Sequence, residues 1–110
     1  MTPNEFKKFL HRDTRCWHCG TTDETLIPQH RANRGMGGVK SRNRPSNIIV
    51  FCASFNQLIE ADSGAASLAR SYGWKISGHD DSAFVPVFDV TDQAWYFLGD
   101  DYSRTVRYEE

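Results

Sequence analysis

The sequence lacks the features of a membrane protein or a disulfide-rich secreted protein. No apolar run approaches the roughly 20 residues that a helix needs to cross a bilayer. The opening residues, MTPNEFKK, lack the apolar stretch of a secretory signal peptide. Only three cysteines are present, so they cannot all pair with one another. We therefore expect a protein of the cytoplasm that has no contact with a membrane.

The composition is that of one globular domain. The chain has 110 residues, of which 39% are hydrophobic and 13% aromatic. Its net charge of -1 conceals an asymmetry between the two halves of the chain. Residues 1–59 carry nine basic and four acidic side chains, whereas residues 60–110 carry four basic and ten acidic side chains. This asymmetry predicts one face for a polyanion and another that repels it or meets a cationic partner. Solvated surface charge without a partner is the alternative.

The N-terminal segment carries the signals of a helix start. Thr2 suits the N-cap, Pro3 suits the first helical position, and Glu5 stands where a capping box requires it. Apolar residues then recur at helical spacing from Phe6. We predict a helix that ends near Asp13.

A C-x-x-C motif follows this helix, in the segment Cys16-Trp-His-Cys-Gly20. This spacing is typical of a metal-binding knuckle, and Gly20 allows the chain to reverse tightly. A thioredoxin-like redox pair would need a βαβ context, which the sequence does not show. A merely structural pair of cysteines remains the alternative.

The sequence pattern in the middle of the chain predicts a strand, a loop, a second strand and a helix. Residues 26–30 form a short strand, and residues 47–52 (NIIVFC) form a β-branched, buried strand. Between them, residues 31–46 make a long loop rich in Arg, Lys, Gly and Asn, and loops of this kind are usually functional or disordered. Helical spacing of apolar residues predicts one helix over residues 54–72, with Gly73 as its C-terminal stop.

The C-terminal segment reads as short strands. Residues 74–77, 84–90 and 94–98 have strand character, and residues 91–93 would connect the last two as a hairpin. Pro86 restricts its strand to a sheet edge or a bulge. An exposed edge in such a tail makes pairing with a second copy of the chain a candidate mode of dimerisation.

Together, these motifs resemble the HNH (ββα-metal) nuclease family, and most closely the small HNH proteins of actinobacterial phages. The resemblance is carried by Gln29-His30-Arg31, by Arg34-Gly-Met-Gly-Gly38, by the Asn47–Cys52 strand and by Leu58-Ile-Glu. It covers about residues 14–75. It implies an α+β domain over residues 1–110, with an N-terminal helix, a knuckle, a ββα-metal core and a β-hairpin extension in residues 76–110. It also implies the cytoplasm of a bacterial host.

In the family, a histidine at the position of His30 activates the water that attacks a phosphodiester, a task that suits imidazole. Asn47 matches the asparagine that orients this histidine or steadies the loop. Gln29 and Asn56 stand at the two positions that hold a catalytic Mg²⁺ or Mn²⁺. Both are neutral amides, which cannot neutralise the ion as a carboxylate does. Glu60 and Asp62 are candidate replacement carboxylates, although exposed acids on a helix surface are common.

The resemblance also implies a structural zinc site, but with an incomplete set of ligands. Phe55 stands where the fourth cysteine is expected. His18 lies inside the knuckle and is badly placed to replace it, whereas His11 would have to swing in. The three matching thiols are those of Cys16, Cys19 and Cys52.

The loop between the two strands is the candidate nucleic-acid interface. It carries five cations and no acidic residue, and its glycines would let backbone amides approach a phosphate. A solvated basic loop is the alternative. The cations are Arg31, Arg34, Lys40, Arg42 and Arg44.

We therefore expect a nucleic-acid-binding, HNH-like protein with weak or lost nuclease activity, and DNA as its partner. One alternative is an active metal-dependent endonuclease. Another is a phage effector that binds and inhibits a host protein through its acidic, aromatic tail. The tail residues in question are Phe84, Val87, Phe88, Trp95, Tyr96, Asp100 and Asp101.

Overall fold

A computed structural model of the chain describes residues 1–33 and 43–107. This part is a mixed α+β structure with two small antiparallel sheets, which confirms the predicted fold class at that level. The helices are α1 (Pro3–Asp13), α2 (Ala53–Ala61) and α3 (Ser63–Ser71), with a short 3-10 helix at Pro45–Asn47. The strands are β1 (Leu26–His30), β2 (Ile48–Cys52), β3 (Val87–Asp89), β4 (Ala94–Leu98) and β5 (Arg104–Val106).

Helix α1 begins and ends where the sequence predicts. The side chain of Thr2 accepts a hydrogen bond from the Glu5 backbone N–H at 3.2 Å, and the Glu5 carboxylate accepts one from the Thr2 N–H at 3.4 Å. At the other end, the Asp13 carboxylate is buried between Arg12, whose Nε donates to it at 2.7 Å, and the backbone N–H of Val50, at 3.1 Å. The end of α1 is thereby tied to the middle of β2.

Strands β1 and β2 form the first sheet and lead directly into α2. They pair antiparallel, with Leu26 opposite Cys52 and His30 opposite Ile48. All five residues of β2 are buried, so this strand lies at the centre of the core. The order strand, loop, strand, helix is therefore the predicted one.

The single helix predicted over residues 54–72 is wrong, because the chain breaks at Asp62. This residue has extended backbone angles, φ −127° and ψ 124°, and its carboxylate accepts a hydrogen bond from the Ala65 N–H at 2.8 Å. Asp is a strong N-cap residue, so it ends α2 and begins α3. Apolar spacing continues across the break, which conceals it in the sequence.

Gly73 ends α3, as predicted. Its φ is +75°, its N–H bonds the Arg70 carbonyl at 3.3 Å, and the Trp74 N–H bonds the Ala69 carbonyl at 2.9 Å. This pair of hydrogen bonds is the Schellman motif. A Cβ at this position would lie 2.0 Å from the carbonyl oxygen of Pro86, so only glycine fits.

The second sheet has the order β3-β4-β5 and contains the predicted hairpin, with Asp89 opposite Ala94 across residues 90–93. Two predictions in this region are wrong. Residues 74–77 form no strand, because the backbone N–H groups of Trp74 and Lys75 donate hydrogen bonds to the Ala69 carbonyl. These hydrogen bonds cap the C-terminus of α3. The strand predicted over residues 84–90 is only β3, and β5 was not predicted.

Two buried tryptophans join the two sheets. Trp17 and Trp74 are fully buried, and the indole N–H of Trp74 donates to the Phe88 carbonyl at 2.9 Å. The Arg104 guanidinium lies 4.3 Å from the ring centre of Trp17. Among residues 1–33 and 43–107, no helix combines the length and apolar character needed to span a membrane.

Candidate metal centre and catalytic position

The three cysteines come together at the junction of the knuckle and the first sheet. Their Sγ atoms all lie within 4.8 Å of one another. Gly20, with φ +75°, turns the knuckle, and its N–H bonds the Cys16 carbonyl at 3.0 Å. Cys52 is the last residue of β2, so the core strand carries the third thiol to the other two. Cys16 and Cys52 are buried, and Cys19 is exposed.

Hydrogen bonds to sulfur organise this cluster. The backbone N–H groups of His18 and Cys52 donate to Cys16 Sγ at 3.3 and 3.2 Å. Burial raises the pKa of Cys16 to about 12, so this thiol stays protonated unless a cation replaces its proton. Burial also acts to raise the pKa of Cys52, but hydrogen bonds with the Phe55 N–H, the Ser54 hydroxyl and the other two thiols together outweigh it and lower the pKa.

This donor set fits Zn²⁺, which takes cysteine thiolates at about 2.3 Å in a tetrahedral arrangement, with sulfurs roughly 3.8 Å apart. The sulfurs need to close by only a small movement from their present separations. Within the described ranges, no histidine, aspartate or glutamate joins the cluster, so neither His11 nor His18 is a fourth ligand in this arrangement.

Phe55, at the sequence position where the resemblance implies a fourth cysteine, takes part in an aromatic stack. Its ring lies parallel to the His18 imidazole, with centroids 3.7 Å apart and an interplanar angle of 9°, and meets Trp74 edge-on at 6.1 Å. Burial lowers the pKa of His18, so this ring is neutral at pH 7. Its Nδ1 is buried without a hydrogen-bond partner among the described residues.

Gln29 does not offer a site for a hydrated Mg²⁺ or Mn²⁺. Its side chain is buried, with Nε2 donating to the Trp74 carbonyl at 3.4 Å and Oε1 enclosed without a hydrogen-bond partner in the described part of the chain. Asn56 is half-buried on α2. No carboxylate cluster forms there among the described residues, because Glu60 is exposed and Asp62 caps α3. Mg²⁺ keeps several waters and prefers carboxylates, so the family's catalytic ion does not fit these residues.

His30 lies on the opposite face of β1 from Gln29, because consecutive strand residues alternate. Its Nε2 bonds Asn43 Oδ1 at 2.9 Å. Both residues line a cleft of about 480 Å³ against α1, which Lys8 and Tyr102 also line. Asn43 was not predicted, since nothing in its position 13 residues after His30 signals the contact.

Asn47 steadies the start of the loop. Its Oδ1 accepts a hydrogen bond from the Ala32 N–H at 2.8 Å, and its Nδ2 donates to the Ala32 carbonyl at 3.1 Å. Asn47 is buried, and these two bonds hold the backbone two residues beyond His30. They correspond to the second of the two roles expected for this asparagine.

Comparison with known proteins gives no match. No family model, no curated protein and no solved structure is significantly similar to this chain. The resemblance to HNH nucleases therefore remains an expectation that depends on the motifs quoted above.

The prediction that Arg31 contacts phosphate is wrong, because its side chain is part of the core. It is fully buried, and burial lowers its pKa to about 9, so it remains charged at pH 7. Its guanidinium donates to four backbone carbonyls at 2.7–2.9 Å. Those carbonyls belong to Ser46, Gly73, Ser82 and Val85.

The other predicted cations divide into two groups. Arg44 is partly exposed and engaged by acids from the C-terminal half, with Asp100 at 2.6 Å and Asp81 at 3.0 Å. Arg34, Lys40 and Arg42 lie outside the described residues.

Fewer tail residues than predicted are available for contact with a host protein. Val87 is fully buried, which removes it from that surface. Asp100 is held by Arg44 and by the Ser46 N–H. Phe84, in contrast, is 78% exposed.

Proposed function

We propose that this chain is an HNH-like ββα domain that uses zinc for stability and binds DNA without cutting it. The observation that carries the proposal is the position of Gln29. The residue at the family's first metal-ligand position faces the protein interior and is bonded to the Trp74 carbonyl. His30 faces the opposite side of the strand, so a base in that position is separated from the residue that would hold a metal ion to stabilise charge on a phosphate.

DNA binding is supported by the charge around the loop and the cleft at its ends. After Arg31 is removed, residues 34–42 still carry three cations and no acidic side chain. His30 and Asn43 stand close to the two ends of this loop, and Lys8 lines the same cleft. Cations in this segment of the sequence and in the cleft favour contacts with phosphates, which give affinity without base specificity.

Whether Arg44 is available to a phosphate depends on its two acidic partners. Its side chain is shared between Asp81 and Asp100, which compete with a phosphate for the same guanidinium. Replacing Asp100 by Asn removes one competitor without adding a cation. We expect Asp100→Asn to bind duplex DNA more tightly than the wild type at low salt, and the difference to shrink as salt screens the contact.

The binding test measures the fluorescence anisotropy of a labelled duplex from low to high salt. We expect Arg34→Ala/Lys40→Ala to weaken binding and to reduce the slope of log K against log salt by about 0.9 for each phosphate that the variant no longer neutralises. The matched control is Arg70→Ala/Arg107→Ala, which removes the same charge from exposed residues outside the loop. Equally weakened binding in both variants would mean that the loop has no special role.

The cleavage test incubates supercoiled plasmid with the zinc-loaded protein and Mg²⁺ or Mn²⁺. We expect no nicking above that of His30→Ala. Nicking by the wild type that disappears in His30→Ala would establish an active endonuclease and overturn the non-cutting part of the proposal.

A second candidate function, binding of a host protein, is favoured by the exposure of Phe84. This ring is 78% exposed beside the acidic residues Asp80 and Asp81. A partner recovered in a fixed ratio with the wild type and with Phe84→Leu, but not with Phe84→Ser, would support it. Recovery that does not depend on residue 84 would count against it.

A further inference from the structure

The thiol cluster has three ligands, and the sequence offers almost nothing to complete it. The chain contains three cysteines and four histidines. All four histidines lie in the described ranges, and none joins the cluster. Residues 34–42 contain no Cys, His, Asp or Glu, so the only acidic side chains outside the described ranges are those of Glu109 and Glu110.

The residue at the sequence position where the resemblance expects a fourth cysteine is apolar. Phe55 follows Cys52 at the spacing of a second C-x-x-C, and its ring packs on His18, Phe51 and Trp74. A phenyl ring donates no electron pair to a metal, and these contacts hold it as part of the core.

Solvent reaches the cluster from one side. Cys16 and Cys52 are buried, whereas Cys19 is exposed. An external molecule can therefore approach on the side of Cys19. Closed four-ligand sites are typical of structural zinc, whereas three protein ligands and an open position are typical of zinc that binds an exchangeable ligand.

We propose that zinc at Cys16, Cys19 and Cys52 keeps one coordination position for an external donor, which is water and can be exchanged for a small thiol. In the exchange, the bond from zinc to the water oxygen breaks, a bond to sulfur forms, and the thiol proton passes to solvent. The centre is then a binding site for small thiols as well as a structural element. This inference rests on the zinc centre of the proposed function.

The test uses the full-length chain loaded with Co²⁺ in place of Zn²⁺, and a phosphine reductant so that no thiol is present. The visible absorption of Co²⁺ reports its ligands. Titration with 2-mercaptoethanol is expected to shift these bands saturably, with one thiol bound per cobalt. A spectrum that does not respond would overturn the inference.

Two matched variants identify the open position. Phe55→Cys supplies a fourth thiolate, so its cobalt spectrum should resemble the thiol-saturated wild type and should not respond to 2-mercaptoethanol. Phe55→Leu removes the ring but offers no ligand, so it should respond as the wild type does. A response in Phe55→Cys equal to that in Phe55→Leu would show that the thiol binds elsewhere, which overturns the proposed site.

Glu109→Gln/Glu110→Gln tests the remaining carboxylates, and an unchanged cobalt spectrum before and after thiol is expected. A spectrum altered in this variant before thiol is added would show that a C-terminal carboxylate fills the position, which overturns the proposal of bound water. Failure of the wild type to take up cobalt would remove the zinc centre and this inference together. Uptake without a response to thiol would overturn the inference alone.

Discussion

The imidazole of His18 lies flat on the ring of Phe55, with their centroids 3.7 Å apart, and Phe55 stands at the sequence position where a fourth cysteine was expected. The pair closes this corner of the core with dispersion forces and ring stacking, because Phe51 and Trp74 pack on it from other sides. Zinc bound at the proposed centre would therefore stabilise the same junction as the aromatic packing, by separate means. Metal-free protein should be folded, and zinc should add to its stability.

Zinc is expected to raise the free energy of unfolding by about 2.7 kcal/mol when its free concentration is roughly 100 times the dissociation constant. Cys19→Ser should abolish this gain, since it removes one thiolate. Because Cys19 is exposed, the metal-free variant should unfold at nearly the same temperature as the metal-free wild type. Thermal unfolding with zinc and with chelator measures both effects. Equal melting temperatures of wild-type protein with zinc and with chelator would contradict the prediction.

Arg31→Lys is expected to lower the free energy of unfolding by about 3 kcal/mol or more. Lysine cannot reproduce the planar guanidinium, so at least some of the four carbonyls that Arg31 binds are left without a donor, at about 1–3 kcal/mol for each buried acceptor.

The control for this prediction is Arg44→Lys, the same change at a partly exposed cation. Its ion pairs are on the surface, so the expected decrease is under about 1 kcal/mol. Urea unfolding compares the two variants. If both were destabilised equally little, Arg31 would not be buried in solution.

Gly73→Ala is expected to destabilise the fold by more than about 1 kcal/mol, because alanine disfavours the φ of +75° and its Cβ would meet the Pro86 carbonyl. Gly64→Ala is the control, since this glycine has no positive φ and a Cβ there would meet only the Asp62 carboxylate, at 3.2 Å. We expect it to change stability by less than about 1 kcal/mol. Comparable destabilisation at the two positions would contradict the tight contact at Gly73.

Asp100 should make stability depend on acid pH. Its hydrogen bond with Arg44 lowers its pKa to about 2, from an ordinary value of 3.8. A carboxyl whose pKa is lower in the folded than in the unfolded chain stabilises the fold above the unfolded value, and this contribution disappears as pH falls from about 4 toward 2.

The measurement is the melting temperature of wild type and Asp100→Asn at pH 6 and near pH 2. We expect the wild type to be the more stable at pH 6, and the difference to vanish at the lower pH. Arg44→Ala should remove the same pH-dependent contribution. A difference that persists unchanged at pH 2 would assign the effect to something other than this pair.

Local signals in the sequence predicted local structure well. The capping box at Thr2 and Glu5 and the glycine stop at Gly73 involve neighbours within five residues, and both are present. The break at Asp62 was missed because its flanking apolar residues keep helical spacing. The strand β5 was missed because it is only three residues long.

The candidate site was predicted in its thiols but not in its polar contacts. Cys16 and Cys19 are adjacent in a recognisable motif, and the family resemblance pointed to Cys52. The contacts of Gln29 with Trp74, 45 residues away, and of Arg31 with Val85, 54 residues away, depend on how distant segments pack. No spacing rule covers such distances, and an arginine beside basic residues resembles a surface cation.

The burial of Arg31 affects how the protein unfolds. The carbonyls that hold its charge come from the loop before β2, the end of α3 and the segment before β3. Detaching any one of these segments would leave the Arg31 cation short of carbonyl partners in an apolar interior. The free energy of partial unfolding should therefore be close to that of complete unfolding. Native-state hydrogen exchange should therefore show amides of β2 and β3 opening together in one all-or-none event, with the tail inseparable from the ββα unit.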